Sequence, residues 1–216
     1  MSKMLKKYKI ILFDLDGTVA DTDKTIVETY KELYSVFKPE ANVSEDKMIT
    51  FSGPPIRDTM KNEFSDYDVD FMISEYQKRT KKYYERYVKT YPLVIETLKE
   101  LKEKGVKIGV VTNKVRSATL ITFDLCGLND IFDVVVCQDD VVHSKPHKEH
   151  ILEALRLLNH YCLDEVLYVG DNDIDYVSAA NAGIDAMLVR FAKRDLRLAD
   201  KFKYCITSFE EIKNYV

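Results

Sequence analysis

Two aspartates, Asp14 and Asp16, follow directly on the apolar run Ile10-Ile11-Leu12-Phe13 in the stretch "KIILFDLDGTVADT". Burying carboxylates is expensive, and a chain rarely sets two of them against a core strand without a cation or a chemical task. Three other places join polar groups to an apolar run. Thr112 and Asn113 end "KIGVVTN", Lys145 lies in "HSKPHKEH" beyond "DVVVC", and Asp171, Asp173 and Asp175 occupy "VGDNDID". Brought together, the carboxylates would repel one another and call for a divalent cation, and an all-oxygen set favours Mg2+ over zinc. The lysine, the hydroxyl and nearby backbone N–H groups suit a phosphate.

Such a site needs elements that bring the four places to one spot. Apolar runs at 8–13, 106–112, 133–137, 165–169 and 185–189, with a weaker one at 204–207, predict strands. Helical periodicity lies between them near 93–104, 115–125, 147–159 and 174–182, with Gly105, Gly127 and Gly183 placed as helix-stopping residues. Strands buried on both faces and linked by helices predict an α/β fold, a Rossmann-like parallel sheet flanked by helices. In open parallel sheets function gathers at the carboxyl ends of the strands, where all four polar groups fall.

Residues 20–90 carry no strand signal and predict helices near 24–38, 44–51, 55–65 and 68–88. In the last, Val69, Met72, Ile73, Tyr76, Thr80, Tyr83, Tyr84 and Tyr87 form a stripe that reads as an amphipathic bundle packing its own core rather than as a binding surface. The expected organisation is an α/β core domain from 1–20 and 90–216, with a small helical cap domain, 21–89, inserted after the first strand.

Of the 216 residues 46% are hydrophobic and 31% charged, as in an ordinary globular protein. A net charge of −4 supplies no basic field, so nucleic acid is not an expected partner. The late basic residues Lys193, Arg194, Arg197, Lys201 and Lys203 are interrupted by Asp195 and Asp200 and read as a solvated face. Cys126, Cys137, Cys162 and Cys205 form no CxxC pair and predict buried or half-buried free thiols. His143, His147, His150 and His160 show no ligand-like arrangement and read as surface or packing residues. "MSKMLKKYKI" lacks the apolar region of a signal peptide, and no run nears the roughly 20 apolar residues of a membrane helix, so a cytoplasmic protein with no membrane partner is expected.

These motifs resemble those of the haloacid dehalogenase-like (HAD) superfamily, specifically phosphatases with a helical cap inserted after motif I. The DxDG[TV] pattern stands as Asp14-Leu15-Asp16-Gly17-Thr18, the strand ending in a hydroxyl as "VVTNK" with Thr112, the lysine motif as Lys145-Pro146, and GDxxxD as Gly170 to Asp175. The resemblance implies Asp14 as nucleophile, forming an aspartyl-phosphate, and Asp16 as general acid and then base. Residues i and i+2 of an extended strand point the same way, which suits both acids facing one site. It further implies phosphate binding by Thr112, Asn113 and Lys145. Mg2+ would be held by Asp14, the Asp16 carbonyl and Asp171, with Asp175 behind them and Asp173 capping or opening the next helix.

The cap loop "SGPPIRDTM" would test the leaving group through Gly53 and Arg57, Arg57 meeting a carboxylate or second phosphate. That look belongs to the phosphoglycolate phosphatase and pyrophosphatase-like branch and implies a small phosphorylated metabolite as substrate, with a monomer or weak homodimer as the acting species. Alternatives are a β-phosphoglucomutase-like phosphomutase, which would carry a histidine where Ile26 stands, and a catalytically silent partner-binding relative, which should have lost one of the motif residues. Cap movement is expected to hinge at 20–24 and 88–92.

Overall fold

A strand with apolar side chains on both faces must be covered twice, and this requirement organises the chain. The structure, a computed structural model, describes residues 7–192 and 194–216. Strand β1 (Ile10–Phe13) sends Ile11 and Phe13 into one core and Ile10 and Leu12 into another. The chain then passes β2 (Ala20–Asp21) and four helices, α1 (Asp23–Phe37), α2 (Glu45–Ile49), α3 (Ile56–Glu63) and α4 (Val69–Tyr87), before β3 (Lys89–Thr90). Next come α5 (Val94–Glu103), β4 (Lys107–Val111), α6 (Arg116–Cys126), β5 (Val134–Val136), α7 (Glu149–Leu157), β6 (Val166–Gly170), α8 (Asp173–Ala182), β7 (Asp185–Val189) and β8 (Tyr204–Ile206).

The six-stranded sheet has the order β5-β4-β1-β6-β7-β8, and every pairing in it is parallel. Helices α5 and α6 cover one face through Leu98, Leu101 and Phe123; α7 and α8 cover the other through Ile151, Leu155 and Ala179. This is the expected α/β, Rossmann-like architecture. The chain builds outward from β1 to β5, then returns to β6 on β1's other side, so the strand order reverses at β1. A crevice opens at such a reversal, outside the carboxyl ends of the strands.

Helices α1–α4 close on a third core built from Tyr30, Leu33, Met60, Phe64 and Met72. Where the sequence carries no strand signal, the structure adds one: Ala20 pairs with Thr90 and Asp21 with Lys89 in an antiparallel pair, β2–β3, at the two margins of the helical unit. Two-residue strands leave no periodicity to read. The tyrosine stripe divides its duties. Val69, Met72, Ile73 and Tyr76 pack against the third core, whereas Tyr76, Thr80 and Tyr84 also line a cleft facing the sheet.

Two other expectations are corrected. Cys162 and Cys205 are exposed, although all four cysteines are free. The late basic run is not one solvated face: Arg194 has a side chain only 4% exposed, paired with two carboxylates. Lys193 lies outside the described residues. No helix among the described residues is long and apolar enough to cross a membrane.

Candidate active site

The carboxyl ends of β1, β4 and β6 deliver their polar residues to one place. Asp14 continues β1, its N–H donating to the carbonyl of Val169 at 2.9 Å. Thr112 continues β4 by donating to Val136 O, and Asp171 follows β6. Lys145 arrives from the loop before α7, held in place by its neighbour Asn113: Asn113 Oδ1 accepts the Lys145 N–H at 2.8 Å, and Asn113 Nδ2 donates to the Lys145 carbonyl at 3.2 Å.

Lys145 is the centre of the constellation. Its Nζ donates to Asp14 Oδ1 at 2.7 Å, Asp175 Oδ1 at 2.8 Å and the Tyr168 hydroxyl at 3.0 Å, which matches the three N–H bonds of an ammonium. Burial works against its charge, but Asp14 and Asp175 outweigh burial and raise its pKa well above the ordinary lysine value. For Asp14 burial is the larger influence: it pushes the carboxyl up to about 7 against the pull of Lys145, with Asp175 adding to the rise. Burial raises Asp171 likewise, opposed by Arg194.

Asp175 is fixed at both oxygens, since Oδ2 accepts the N–H groups of Asp171 and Asn172 at 3.1 and 3.0 Å. It thereby closes a capping box at the start of α8, whose N-cap is Asn172. Asp173 occupies the first turn of α8 and accepts from the N–H groups of Arg197 and Leu198. Oxygens of Asp14, Asp171 and Asp175 lie within 4.8 Å of one another, all buried. Three buried carboxylates offering only oxygen match a hard divalent cation such as Mg2+, not zinc.

Asp16 stands apart from this group, on the cleft side. Both its oxygens accept from Lys114 Nζ, at 2.8 and 3.0 Å. Lys114, two residues beyond Thr112, sits 5.1 Å from the Tyr84 ring centroid. Burial opposes its charge, and Asp16 with Tyr84 more than restores it, raising the lysine's pKa. Lys114 is a site residue absent from the sequence expectations; its place at the end of "VVTNK", one step beyond the strand-end pair, is the signal that marks it.

The cleft between sheet and helical unit has a volume of about 960 Å3 and is lined by Asp14, Asp16, Thr112, Lys114, Tyr76 and Arg57, among others. The Gly53 carbonyl accepts from Asn113 Nδ2 at 3.0 Å, so the "GPP" loop touches the strand-end loop directly. Arg57 lies on the cleft wall, but its guanidinium pairs with Asp70 of α4 and meets none of the other site residues named above. The side chain of Asn113 is fully engaged by Lys145 and Gly53, which leaves its backbone for any phosphate.

The expectation that no histidine has a ligand-like arrangement is corrected for two of them: His143, His147 and Glu149 bring ligand atoms within 4.8 Å of one another. His143 Nδ1 lies 2.8 Å and His147 Nδ1 3.8 Å from Glu149 Oε2. Glu149 gathers them because its carboxylate also accepts the N–H groups of Val142 and His143 ahead of α7. Those backbone N–H groups and the His143 ring hold Glu149 down at about 2.

Comparisons with known proteins agree with this geometry. Residues 11–189 match the haloacid dehalogenase-like hydrolase family. The chain is 34% identical over 197 residues to the pyrophosphatase PpaX of Bacillus cereus strain Q1, covering 91% of this chain and 90% of that one. A haloacid dehalogenase-like hydrolase structure from Bacteroides fragilis superposes with a TM-score of 0.85 at 26% identity, over 95% of this chain and 100% of the other. A predicted phosphatase from Clostridium acetobutylicum gives a TM-score of 0.80 at 25% identity, over 96% and 97%.

Proposed function

The chain belongs to the haloacid dehalogenase-like hydrolase family, and from that premise we propose that it is a Mg2+-dependent phosphatase of small phosphorylated metabolites, with helices α1–α4 as its cap. The observation that carries this reading is the tripod around Lys145: one buried ammonium bridges Asp14 and Asp175 at the end of the central strand.

Asp14 is the nucleophile, attacking phosphorus to form an aspartyl-phosphate while the leaving alkoxide departs. Lys145 keeps the attacking carboxylate in place and offsets the charge of the phosphoryl group that approaches it. The Thr112 hydroxyl, which itself accepts the Lys114 N–H at 3.1 Å, and the Asn113 N–H donate to the phosphoryl oxygens. Asp16, two residues on, takes up a proton from solvent once Lys114 releases it, gives that proton to the leaving oxygen and later takes one from the water that attacks the aspartyl-phosphate. Lys114 must first yield one of the Asp16 oxygens, and the incoming anion gives the lysine another partner. Asp14, the Asp16 carbonyl and Asp171 would hold Mg2+, with Asp175 fixing the lysine and loop behind them. When bound, the ion supplies charge that lets an anionic carboxylate approach an anionic phosphate.

The substrate is small and carries a second anionic group, as phosphoglycolate and pyrophosphate do. Support comes from the pyrophosphatase relative and from the cations Lys114 and Arg57 on the cleft wall beyond the phosphate position. Ile26 lines the cleft where a mutase would need an acid–base side chain, which favours hydrolysis. A panel of phosphoglycolate, pyrophosphate, sugar phosphates and nucleotides, assayed with Mg2+ for free phosphate, tests the reading. Release is expected from the small dianionic esters or pyrophosphate, and Asp14→Asn should lower it by about a thousandfold or more. Full activity in Asp14→Asn would sink the mechanism.

A further inference from the structure

Arg194 lies in the loop after β7, outside every motif, yet its guanidinium is the junction between the sheet and the helical unit. Its Nε stands 2.7 Å from Asp171 Oδ2, an ion pair that lies outside hydrogen-bond geometry. Its two terminal nitrogens donate to the two oxygens of Asp23, the first residue of α1, each at 2.7 Å. A cation so buried needs close anionic partners to offset its lost hydration, and here Asp23 supplies hydrogen bonds and Asp171 the adjacent charge. Burial does oppose its charge, and Asp171 and Asp23 outweigh it.

The backbone is shaped around this contact. Gly17 has φ +85, and a Cβ there would stand 2.1 Å from Asp171 Oδ2 and 2.6 Å from an Arg194 nitrogen. The turn after Asp16 therefore leaves room for the Asp171 carboxylate and the guanidinium beside it.

We propose that Arg194 is a positioning residue for metal binding: it pins Oδ2 of Asp171, presents the rest of that carboxylate toward Asp14, and takes its own orientation from Asp23 on the helical unit. This rests on the reading of Asp171 as a Mg2+ ligand. Two simpler roles forecast different behaviour. A bare positive charge would repel Mg2+, so its removal should tighten binding. A packing role would lower the melting temperature and leave the affinity of the folded protein unchanged. An orienting partner of a ligand is worth about 10- to 100-fold in metal affinity.

The experiment is calorimetric titration of the full chain with Mg2+ alone, with circular dichroism melts to establish folding. Arg194→Gln should weaken Mg2+ binding by about 10-fold or more. Arg194→Lys keeps the charge without the planar fork and should fall between the two. Asp23→Asn should weaken binding less, and should add nothing when combined with Arg194→Gln, because its effect passes through the guanidinium. Binding by Arg194→Gln as tight as wild type, or tighter, overturns the proposal. Should that variant fail to fold, Asp23→Asn decides alone, and wild-type affinity in it is the overturning result. A wild-type chain that binds no Mg2+ removes the metal reading and the proposal together; unchanged binding in the variants removes the proposal only.

Discussion

Asp14 and Asp16 differ in what holds them, and the difference suits the two roles proposed for them. Asp14 is buried and ion-paired with Lys145 at the end of the central strand. Asp16 faces the cleft and, among the described residues, its carboxylate pairs with Lys114 alone, which leaves it the freer of the two to meet a leaving group. Proton donation matters most when the leaving oxygen is basic. Asp16→Asn should therefore cut kcat on alkyl phosphates such as phosphoglycolate by about 10²- to 10⁴-fold, with a far smaller loss on p-nitrophenyl phosphate, whose phenolate leaves unaided. Equal losses on both esters in steady-state assays would remove Asp16 from the proton path.

The elements determine which of these residues could be found without coordinates. Asp14, Thr112 and Asp171 were legible because each ends a run of apolar residues long enough to mark a doubly buried strand, and the ends of such strands converge in any parallel sheet. Arg194 was not, because a charge run looks solvated until the fold brings Asp23, 171 residues away, and Asp171 against it. Nor was the β2–β3 pair, too short for any period. Gly17 joins both kinds: the motif places it, but only the structure shows that Asp171 and Arg194 occupy the space of its missing side chain. Gly17→Ala should cost about 1–2 kcal/mol for its left-handed backbone, lower the melting temperature and abolish phosphate release, whereas an alanine at Gly105, which has open space around it, should leave release intact. Helix α7 adds a pH dependence. It buries His150 against the sheet, and burial, helped by the Lys145 charge, depresses that imidazole to about 4. Between its ordinary value near 6.5 and about 4 the unfolded chain takes up a proton that the folded one refuses, so stability is intact above that window and falls as pH drops through it. The loss approaches about 3 kcal/mol. Urea unfolding of His150→Gln should show a shallower decline than wild type across this window; parallel curves would mean that His150 takes no part.

At the scale of the molecule, the helical unit is joined to the sheet by two chain crossings and a few polar contacts, and this division predicts motion. The crossings are β2 and β3, paired over two residues each, which set a pivot without a broad interface. Across the cleft, Asn113 Nδ2 donates to the Gly53 carbonyl and Asn172 Nδ2 to that of Ser52, at 3.0 and 3.4 Å. Asn113 also holds the Lys145 backbone, so the group that seats the lysine is the one that latches the "GPP" loop. A swing that widens the cleft would break those two bonds while the helical unit keeps its own core of Tyr30, Phe64 and Met72 intact. The expected movement is a rigid-body swing about residues 20–24 and 88–92, on the microsecond-to-millisecond scale usual for lids. A phosphate mimic with Mg2+ should favour the latched state. Hydrogen exchange should slow at 52–56 and around both crossings, and stay unchanged in the interior of α1 and α4. Asn113→Ala should lose that protection at the loop even where the mimic still binds. Exchange that is the same with and without the mimic at the loop and at both crossings would show that the helical unit does not gate the site, and the cleft would then have to admit its substrate as it stands.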